Sequence, residues 1–362
     1  MAGLLWSLWV SFKAGFVRFH FLHLPSIAGF SLLVSVALWL SFSKSVIYRF
    51  QAILIAIAFT GWVIIFGYSV TNLTGRLPQF IPDTLKASGT GLSNLWKLHS
   101  GRGHLMKAYQ DRLESVRQSL PIAKLNGTTD TYPFGLEFSM IACGLSYTPR
   151  AVFQSYLAYS PFLAELNASH LRSPKSPEYI LLFLGATDNR SPLMEDSLSW
   201  PEILTRYELL PRGINRLPVL KKRSHSKSFH KTQKATIISQ FGQEIPIPAE
   251  WQTNQEFLWL NINVEKSIPG TIAASLYKPP IISLRVKTAN GEEKSFRILP
   301  TLAKAGFFLI PNPSLSLLFS PSSQPASGQT LISSISIVCE ASQQWYFQPN
   351  PSVIISQFKI SD

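Results

Sequence analysis

The sequence predicts a membrane-anchored α+β protein in which two transmembrane helices precede a small α/β domain and an antiparallel, jelly-roll-like β-sandwich. Three observations predict this class. Two long stretches near the start are uncharged, short apolar runs alternate with helical patterns in the middle, and the hydrophobic period becomes two residues in the last third. The 362 residues are 46% hydrophobic and only 15% charged, a balance that favours membrane attachment over a cytosolic enzyme.

The predicted membrane hairpin covers residues 24–72. No charged residue occurs from Leu24 to Ser43 or from Ala52 to Val70. Each stretch is long enough to cross about 30 Å of hydrocarbon. The short link between them carries Lys44 and Arg49 and no acid, so the positive-inside tendency places the link in the cytoplasm and all later residues on the exoplasmic side.

Residues 1–23 are predicted to form an interfacial or re-entrant segment, because their apolar run is too short to span a bilayer. Four basic residues in this segment are predicted to contact lipid headgroups or a lipid phosphate: Lys13, Arg18, His20 and His23. Two of them, Lys13 and Arg18, also favour the opposite orientation of the hairpin. Two histidines without a third ligand do not indicate a metal site, and we predict no metal and no cofactor.

An irregular linker is predicted over residues 73–103, which are rich in Gly, Pro, Ser and Thr, and an exoplasmic α/β domain over residues 104–220. Apolar spacings of three and four predict helices at His104–Leu120, Glu137–Cys143, Pro161–Leu171 and Trp200–Tyr207. Short apolar runs between them predict strands at Ala151–Gln154, Tyr179–Leu184, Tyr207–Leu210 and Pro218–Leu220.

Ligands of open α/β sheets bind beyond the carboxyl ends of the strands, and polar residues follow two of the predicted strands. The predicted ligand-binding residues are Gln154, Tyr156, Tyr159, Asn167 and Arg190. Asp188 and Asp196 are the catalytic candidates, because acids near one another can act as acid and base. Acids in a polar loop before a helix also serve as caps, so both interpretations stay open.

A basic linker is predicted over residues 221–235, where six cations occur without an acid: Lys221, Lys222, Arg223, Lys227, Lys231 and Lys234. The run suits an acidic glycan or an anionic lipid, or it is a solvated loop between domains. Nucleic acid is not a predicted partner, because Phe229 is the single aromatic residue in the run.

The β-sandwich domain is predicted over residues 236–362. Alternating apolar and polar residues around Leu258–Val264, Ile282–Lys287 and Ser334–Cys339 predict strands, and Asn290-Gly291 predicts a hairpin turn. The chain contains two cysteines, Cys143 and Cys339, in different predicted domains. We expect two buried thiols, with a disulfide as the alternative if the domains are exoplasmic.

The central stretch resembles a known group of proteins. Gly144-Leu-Ser-Tyr-Thr-Pro-Arg150, Gln154-Ser-Tyr156 and Leu163-Ala-Glu-Leu-Asn167 resemble the C-terminal half of a family of uncharacterised bacterial multipass membrane proteins. In overall plan that family looks like lipid-linked-sugar glycosyltransferases or O-antigen polymerases and ligases. The resemblance implies a bacterial inner-membrane location with periplasmic domains, and it implies that the half expected to bind a polyprenyl-linked donor is missing from this chain.

Three functions follow as hypotheses. The leading one is a membrane-anchored exoplasmic protein that binds or positions an envelope glycan or a partner membrane protein without chemistry of its own, because no nucleophile, base and orienting group can be named. The second is the exoplasmic part of a glycosyltransferase or ligase that uses a polyprenyl-linked sugar donor and works with a multipass partner. The third is a structural subunit of a larger membrane complex.

Overall fold

The structure, a computed structural model, describes residues 103–361 except 123, 212, 214–216, 253–255, 277 and 320–330, together with isolated positions between 86 and 96. Within these residues, no helix has the length and apolar character needed to cross a membrane. The predicted hairpin and the four basic residues of the first segment lie outside the described residues. The two transmembrane helices therefore stay a prediction.

The first part of the described chain forms a five-stranded mixed sheet with strand order β2-β1-β3-β5-β4. Its strands are β1 (Thr128–Tyr132), β2 (Ser146–Tyr147), β3 (Tyr179–Leu182), β4 (Tyr207–Leu209) and β5 (Val219–Lys222). Strand β1 pairs in parallel with β2 and β3, whereas β5 pairs antiparallel with β3 and β4. The carboxyl ends of β1, β2 and β3 therefore lie at one edge of the sheet.

Four α-helices accompany this sheet in the described residues: α1 (Gly103–Ser119), α2 (Glu137–Ala142), α3 (Pro161–Arg172) and α4 (Ser199–Arg206). Helix α3 begins where the sequence signals it, because the Ser160 side chain accepts a hydrogen bond from the Leu163 amide and Pro161 occupies the first turn. Its buried residues recur at spacings of three and four. Helix α4 is buried along nearly its whole length.

The later part of the chain forms two four-stranded sheets, with orders β10-β9-β12-β7 and β11-β8-β13-β6, and every pairing in them is antiparallel. Their strands are β6 (Ser228–Ile238), β7 (Ile245–Pro246), β8 (Glu256–Asn263), β9 (Ile282–Thr288), β10 (Glu293–Ile298), β11 (Phe307–Phe308), β12 (Ile332–Val338) and β13 (Ser352–Ser361). Helices α5 (Ile268–Leu276), α6 (Pro300–Ala305) and α7 (Leu315–Phe319) connect them. The prediction of an α+β chain rich in antiparallel strands is confirmed.

One hydrophobic core joins the mixed sheet to one of the antiparallel sheets. Trp200 of α4 and Leu182 of β3 belong to the same buried cluster as Trp259 of β8 and Phe358 of β13. Aromatic side chains pack closely there, with Trp259 and Phe308 edge to face at 4.9 Å between ring centroids. The α/β part and this sheet are therefore fixed to each other by packing.

The predicted basic linker is largely strand in the structure. Strand β5 extends to Lys222 and β6 begins at Ser228, so strand replaces most of residues 221–235 and a short connection remains at residues 223–227. This stretch is a strand because the long strand β13 pairs with it from Ser228 to Ile238. No Gly or Pro interrupts β6, and its lysines are typical of an exposed edge strand.

One predicted strand of the α/β part is wrong, and one strand of the structure was not predicted. Residues 151–154, predicted as a strand, form bends, and the strand of this region is the two-residue β2 just before Pro149. Side chains rather than a strand ladder hold these bends, as described below. The central strand β1 was missed, because its sequence Thr-Thr-Asp-Thr-Tyr lacks aliphatic residues.

Candidate functional site

A buried arginine organises the carboxyl edge of the parallel strands. Arg150 donates hydrogen bonds to Asp130 Oδ2 at 2.8 Å, to Thr131 O at 2.6 Å and to Ser155 Oγ at 2.7 Å. It also donates to the carbonyl oxygens of Pro133 and Phe153. Its side chain is 1% exposed, so these protein groups replace water around the guanidinium.

Asn167 of α3 connects the bends after β2 to the same arginine. Its Oδ1 accepts from the Val152 amide at 2.8 Å, and its Nδ2 donates to Val152 O at 3.0 Å and to Asp196 Oδ2 at 2.8 Å. That carboxylate oxygen lies 3.6 Å from Arg150 Nε. We call Asp130, Arg150, Ser155, Asn167 and Asp196 the Arg150 cluster. Asn167, a predicted ligand-binding residue, is buried and bonded within it.

Asp196 is the predicted catalytic residue that enters this cluster, and it is fully buried. Burial raises the pKa of its carboxyl group to about 7, while the Arg150 charge and the Asn167 hydrogen bond act in the opposite direction. The backbone at Asp196 has φ of 49°, a left-handed conformation that acids tolerate better than most residues. Tyr132 fixes this backbone, because its hydroxyl donates to Asp196 O at 3.0 Å.

Arg190 and Glu195 form a second buried group in the loop after β3. Glu195 Oε1 accepts hydrogen bonds from the Thr187 amide at 2.7 Å and from Thr187 Oγ1 at 2.6 Å. Arg190 Nη2 lies 3.4 Å from the same oxygen, and burial lowers the pKa of Arg190. The side chain of Arg190, predicted to bind a ligand, is therefore engaged inside its own loop.

Asp188, the other catalytic candidate, lies apart from the Arg150 cluster. It is exposed, and its Oδ2 accepts from Arg297 Nη1 of β10 at 3.2 Å. The neighbouring Asn189 carbonyl accepts from the Arg297 amide at 2.9 Å. These contacts tie the loop to the β part of the chain. Asp188 and Asp196 thus have different partners and do not form a carboxylate pair.

The group Gln154, Tyr156 and Tyr159 was predicted at the end of a strand over residues 151–154, which is wrong, and it lies instead in the bends and 3-10 turn after β2. The Tyr156 hydroxyl donates to Gln154 Oε1 at 2.9 Å, and the Tyr156 ring meets Phe134 edge to face at 4.9 Å. Tyr159 is half exposed, and its carbonyl accepts a hydrogen bond from Thr301 of α6 at 2.9 Å.

Four exposed aromatic side chains belong to the segments that follow β2 and β3. The exposed fractions are 46% for Phe153, 52% for Tyr159, 70% for Phe162 and 57% for Phe183, and the nearby Leu157 and Leu166 are also exposed. Phe183 directly follows β3, and its amide donates to Tyr132 O at 2.8 Å at the end of β1. We call these four aromatic residues the strand-end aromatic surface. Several large apolar side chains exposed together are typical of a contact surface.

The six cations of the predicted basic linker do not act as one run. Lys222 Nζ donates to Ser176 Oγ at 2.7 Å, and Arg223 donates to Tyr207 O and to Glu208. Lys231 Nζ of β6 donates to Asn261 Oδ1 at 3.1 Å on β8 of the same sheet. Lys221 and Lys234 are exposed on strands β5 and β6, and Lys227 lies in the turn between these strands.

The sequence did not identify Asp130, Arg150, Ser155, Thr187 or Glu195 as members of a buried network. Arg150 is one of the residues that carry the family resemblance, and this resemblance was the one sequence signal that could have drawn attention to it. Nothing in the spacing of Asp130 and Arg150 indicates that they meet, because the parallel pairing of β1 with β2 brings them together.

Cys143 and Cys339 are both free, the first half-buried and the second buried. Across the part of the chain that the structure describes, no group of three or more His, Cys, Asp or Glu side chains could hold a metal ion.

Compared with protein-family models, with curated proteins and with solved structures, the chain has no match. The resemblance to a family of bacterial multipass membrane proteins therefore stays a prediction.

Chemically, the strand end holds two acids around one arginine in a volume that is closed to solvent. A substrate needs access to the acid or base that transforms it, and both carboxylates are buried: protein donors bind both oxygens of Asp130 and Oδ2 of Asp196, while Oδ1 of Asp196 is buried without a hydrogen-bond partner. The hydrogen bonds of the Arg150 cluster therefore hold the backbone segments after β1 and β2 in place. The groups available to an outside molecule here are the aromatic rings.

Proposed function

We propose that the protein is a non-catalytic binding protein, anchored in a bacterial inner membrane with its folded part in the periplasm, that docks on a partner membrane protein through the strand-end aromatic surface. The observation that carries the proposal is the division of this edge into a closed polar interior and an exposed aromatic exterior. The uncharged stretches Leu24–Ser43 and Ala52–Val70 support the anchor. As part of the same proposal, the two antiparallel sheets pack as a sandwich of jelly-roll type.

The chemistry of the surface favours a protein over a sugar as its occupant. Three of its four aromatic residues are phenylalanines, and the neighbouring exposed residues Leu157 and Leu166 are aliphatic. Protein interfaces are enriched in aromatic side chains and depleted in charge at their centres. A sugar would require free polar groups beside the rings, and the Gln154 amide oxygen and the Tyr156 hydroxyl are bonded to each other.

The test is site-specific photo-crosslinking in living cells with a photoreactive amino acid at Phe162. We expect one discrete adduct with an integral membrane protein, and we expect it to disappear when Phe153→Ser and Phe183→Ser are added. Phe229 of β6 is the matched control position, because it is an exposed phenylalanine outside the surface. Adducts of equal yield at both positions, or adducts with lipid alone, would contradict the proposal.

A glycosyltransferase-like enzyme is the second candidate, and the pKa of about 7 at Asp196 is the observation that favours it. Such a pKa suits an acid or base near neutral pH. Cells that carry Asp196→Asn or Asp188→Asn separate the two candidates. An unchanged length distribution of surface polysaccharide is expected for the binding protein, whereas shortened chains would support the enzyme.

A further inference from the structure

A concave polar cleft lies on one face of the sheet β11-β8-β13-β6, away from the Arg150 cluster. Its lining residues come from three adjacent strands and the end of α6: Lys231, Gln233, Asn261, Ile262, Asn263, Lys304, Ser352, Ile354 and Ser356. The strand register places Asn261 opposite Ile354, Asn263 opposite Ser352 and Gln233 opposite Ser356. Polar side chains therefore come from all three strands of this face, with Ile354 between them.

The cleft begins where the shared core ends. Residues two apart on a strand face the same side of a sheet, so Trp259 and Asn261 of β8 share a face. Trp259 is packed into the core beneath the α/β part, whereas Asn261 and Asn263 are partly exposed. Within the described residues, this end of the sheet face is thus only partly covered, and the β8 side chains that it presents are amides.

Two lysines set the charge of the cleft. Lys231 lies with its Nζ 5.3 Å from the centroid of the Trp259 ring and 3.1 Å from Asn261 Oδ1. Burial lowers the pKa of Lys231. Lys304 is exposed, and its nearest acid is Glu265 at 3.9 Å, a distance at the limit of an ion pair. Among the described residues that line the cleft there is no Asp or Glu.

The floor of the cleft is held rigidly. Asn261 Nδ2 donates to Ala305 O at 2.9 Å and to Lys304 O at 3.1 Å, which fixes the end of α6 against the sheet. Gly306 has φ of 103°, and a Cβ at this position would come within 2.7 Å of Asn261 Nδ2. This close approach requires glycine. The lysine at the end of α6 is therefore held over the sheet by a tight backbone contact.

We propose that this cleft binds an acidic saccharide, with the two ammonium groups on its carboxylate or phosphate groups and the amides and hydroxyls on its sugar hydroxyls. Amide and hydroxyl side chains both donate and accept, as sugar hydroxyls require, and the ammonium groups supply charge-assisted hydrogen bonds. A flat anionic bilayer does not fit a concave strip that crosses three strands. The site is separate from the strand-end aromatic surface, and it stands whether or not a partner protein docks there.

The test is the affinity of the full chain for an acidic oligosaccharide, a galacturonic acid hexamer, measured by calorimetry beside the neutral maltohexaose. We expect Lys231→Gln combined with Lys304→Gln to weaken binding of the acidic hexamer at least tenfold, and added salt to weaken binding to the unaltered chain. Lys294→Gln combined with Lys359→Gln is the matched control, since it removes the same charge outside the cleft and should change the affinity less than twofold.

Thermal unfolding of both double variants checks that each keeps the fold. Unchanged affinity in the cleft variant would overturn the proposal, as would failure of the unaltered chain to bind the acidic hexamer at millimolar concentration. The last measurement is binding of the chain to anionic vesicles. If they bind with the same dependence on Lys231 and Lys304 and displace the hexamer, the site recognises a lipid surface and the saccharide proposal fails.

Discussion

Two polar groups of this protein contain similar residue types and differ in where their donors point. In the Arg150 cluster, the guanidinium and the Asn167 amide bind acids and backbone carbonyls inside the protein. In the sheet cleft, Lys231 and Lys304 lie beside amides at a surface that solvent reaches. The comparison teaches that a buried charge is committed to its internal partners, which its removal would leave unpaired, whereas a similar charge on an open concave face is available to a ligand.

The largest expected loss of stability comes from replacing Arg150. Replacing it by Met leaves the acids Asp130 and Asp196 buried without their cation, which should lower the free energy of unfolding by about 4 kcal/mol. Urea unfolding of the purified full chain measures this loss. Arg285→Met is the control, because its pair with Glu293 is exposed and should contribute less than about 1 kcal/mol. Equal losses in the two variants would show that the cluster is not a structural network.

Asn167→Ala is expected to have the next largest effect. It removes three hydrogen bonds and leaves the Val152 amide and carbonyl without their partner, at a cost of about 3 kcal/mol. Amide hydrogen exchange should become faster at Val152 than in β13. If Asn167 instead serves mainly as a ligand-binding residue, stability would change little and exchange at Val152 would stay slow.

A pH effect is expected from Asp196. The folded chain keeps the proton of this carboxyl up to about pH 7, whereas the unfolded chain releases it near its ordinary pKa of 3.8. Folding therefore takes up a proton between these values, and the free energy of unfolding should fall as pH rises from 5 to 7, by about 2 kcal/mol. Burial raises the pKa of Asp130 too, so this acid contributes with the same sign.

Asp196→Asn removes the largest part of that dependence. Urea unfolding at pH 5 and at pH 7 should give a smaller difference in this variant than in the unaltered chain. An unchanged difference would mean that Asp196 keeps an ordinary pKa, and the closed character assigned to the cluster would be wrong.

The smallest expected effect is at Asp188. Asp188→Asn breaks an exposed ion pair with Arg297 and keeps a residue type that tolerates the left-handed backbone, where φ is 54°. The free energy of unfolding should fall by less than about 1 kcal/mol, measured by the same urea titration. A loss as large as that of Asn167→Ala would show that this contact carries much of the attachment between the α/β and β parts.

Much of the fold could be predicted from local pattern, and the polar network could not. The helix from Pro161, the alternation in β8 and the turn at Asn290-Gly291 are local signals, and each element forms as predicted. The turn has Gly291 at φ of 87° in the hairpin between β9 and β10.

The elements that were missed depend on distant pairing. Strand β6 forms from a lysine-rich stretch because β13, more than one hundred residues later, supplies its hydrogen-bond partner. Asp130 meets Arg150 because β1 and β2 are parallel, and Asp196 joins them through Asn167. The sequence pattern locates polar residues near the ends of predicted strands, but it does not indicate whether their partners are protein groups or an outside molecule.

The most direct test of the difference between the two polar groups is the dissociation constant of the galacturonic acid hexamer, measured side by side for three chains. Relative to the unaltered protein, Asp196→Asn should bind with the same affinity, and Lys231→Gln with Lys304→Gln should bind at least tenfold more weakly. Loss of binding in Asp196→Asn, with binding retained in the lysine double variant, would contradict the assignment of the Arg150 cluster to structure and of the sheet cleft to recognition.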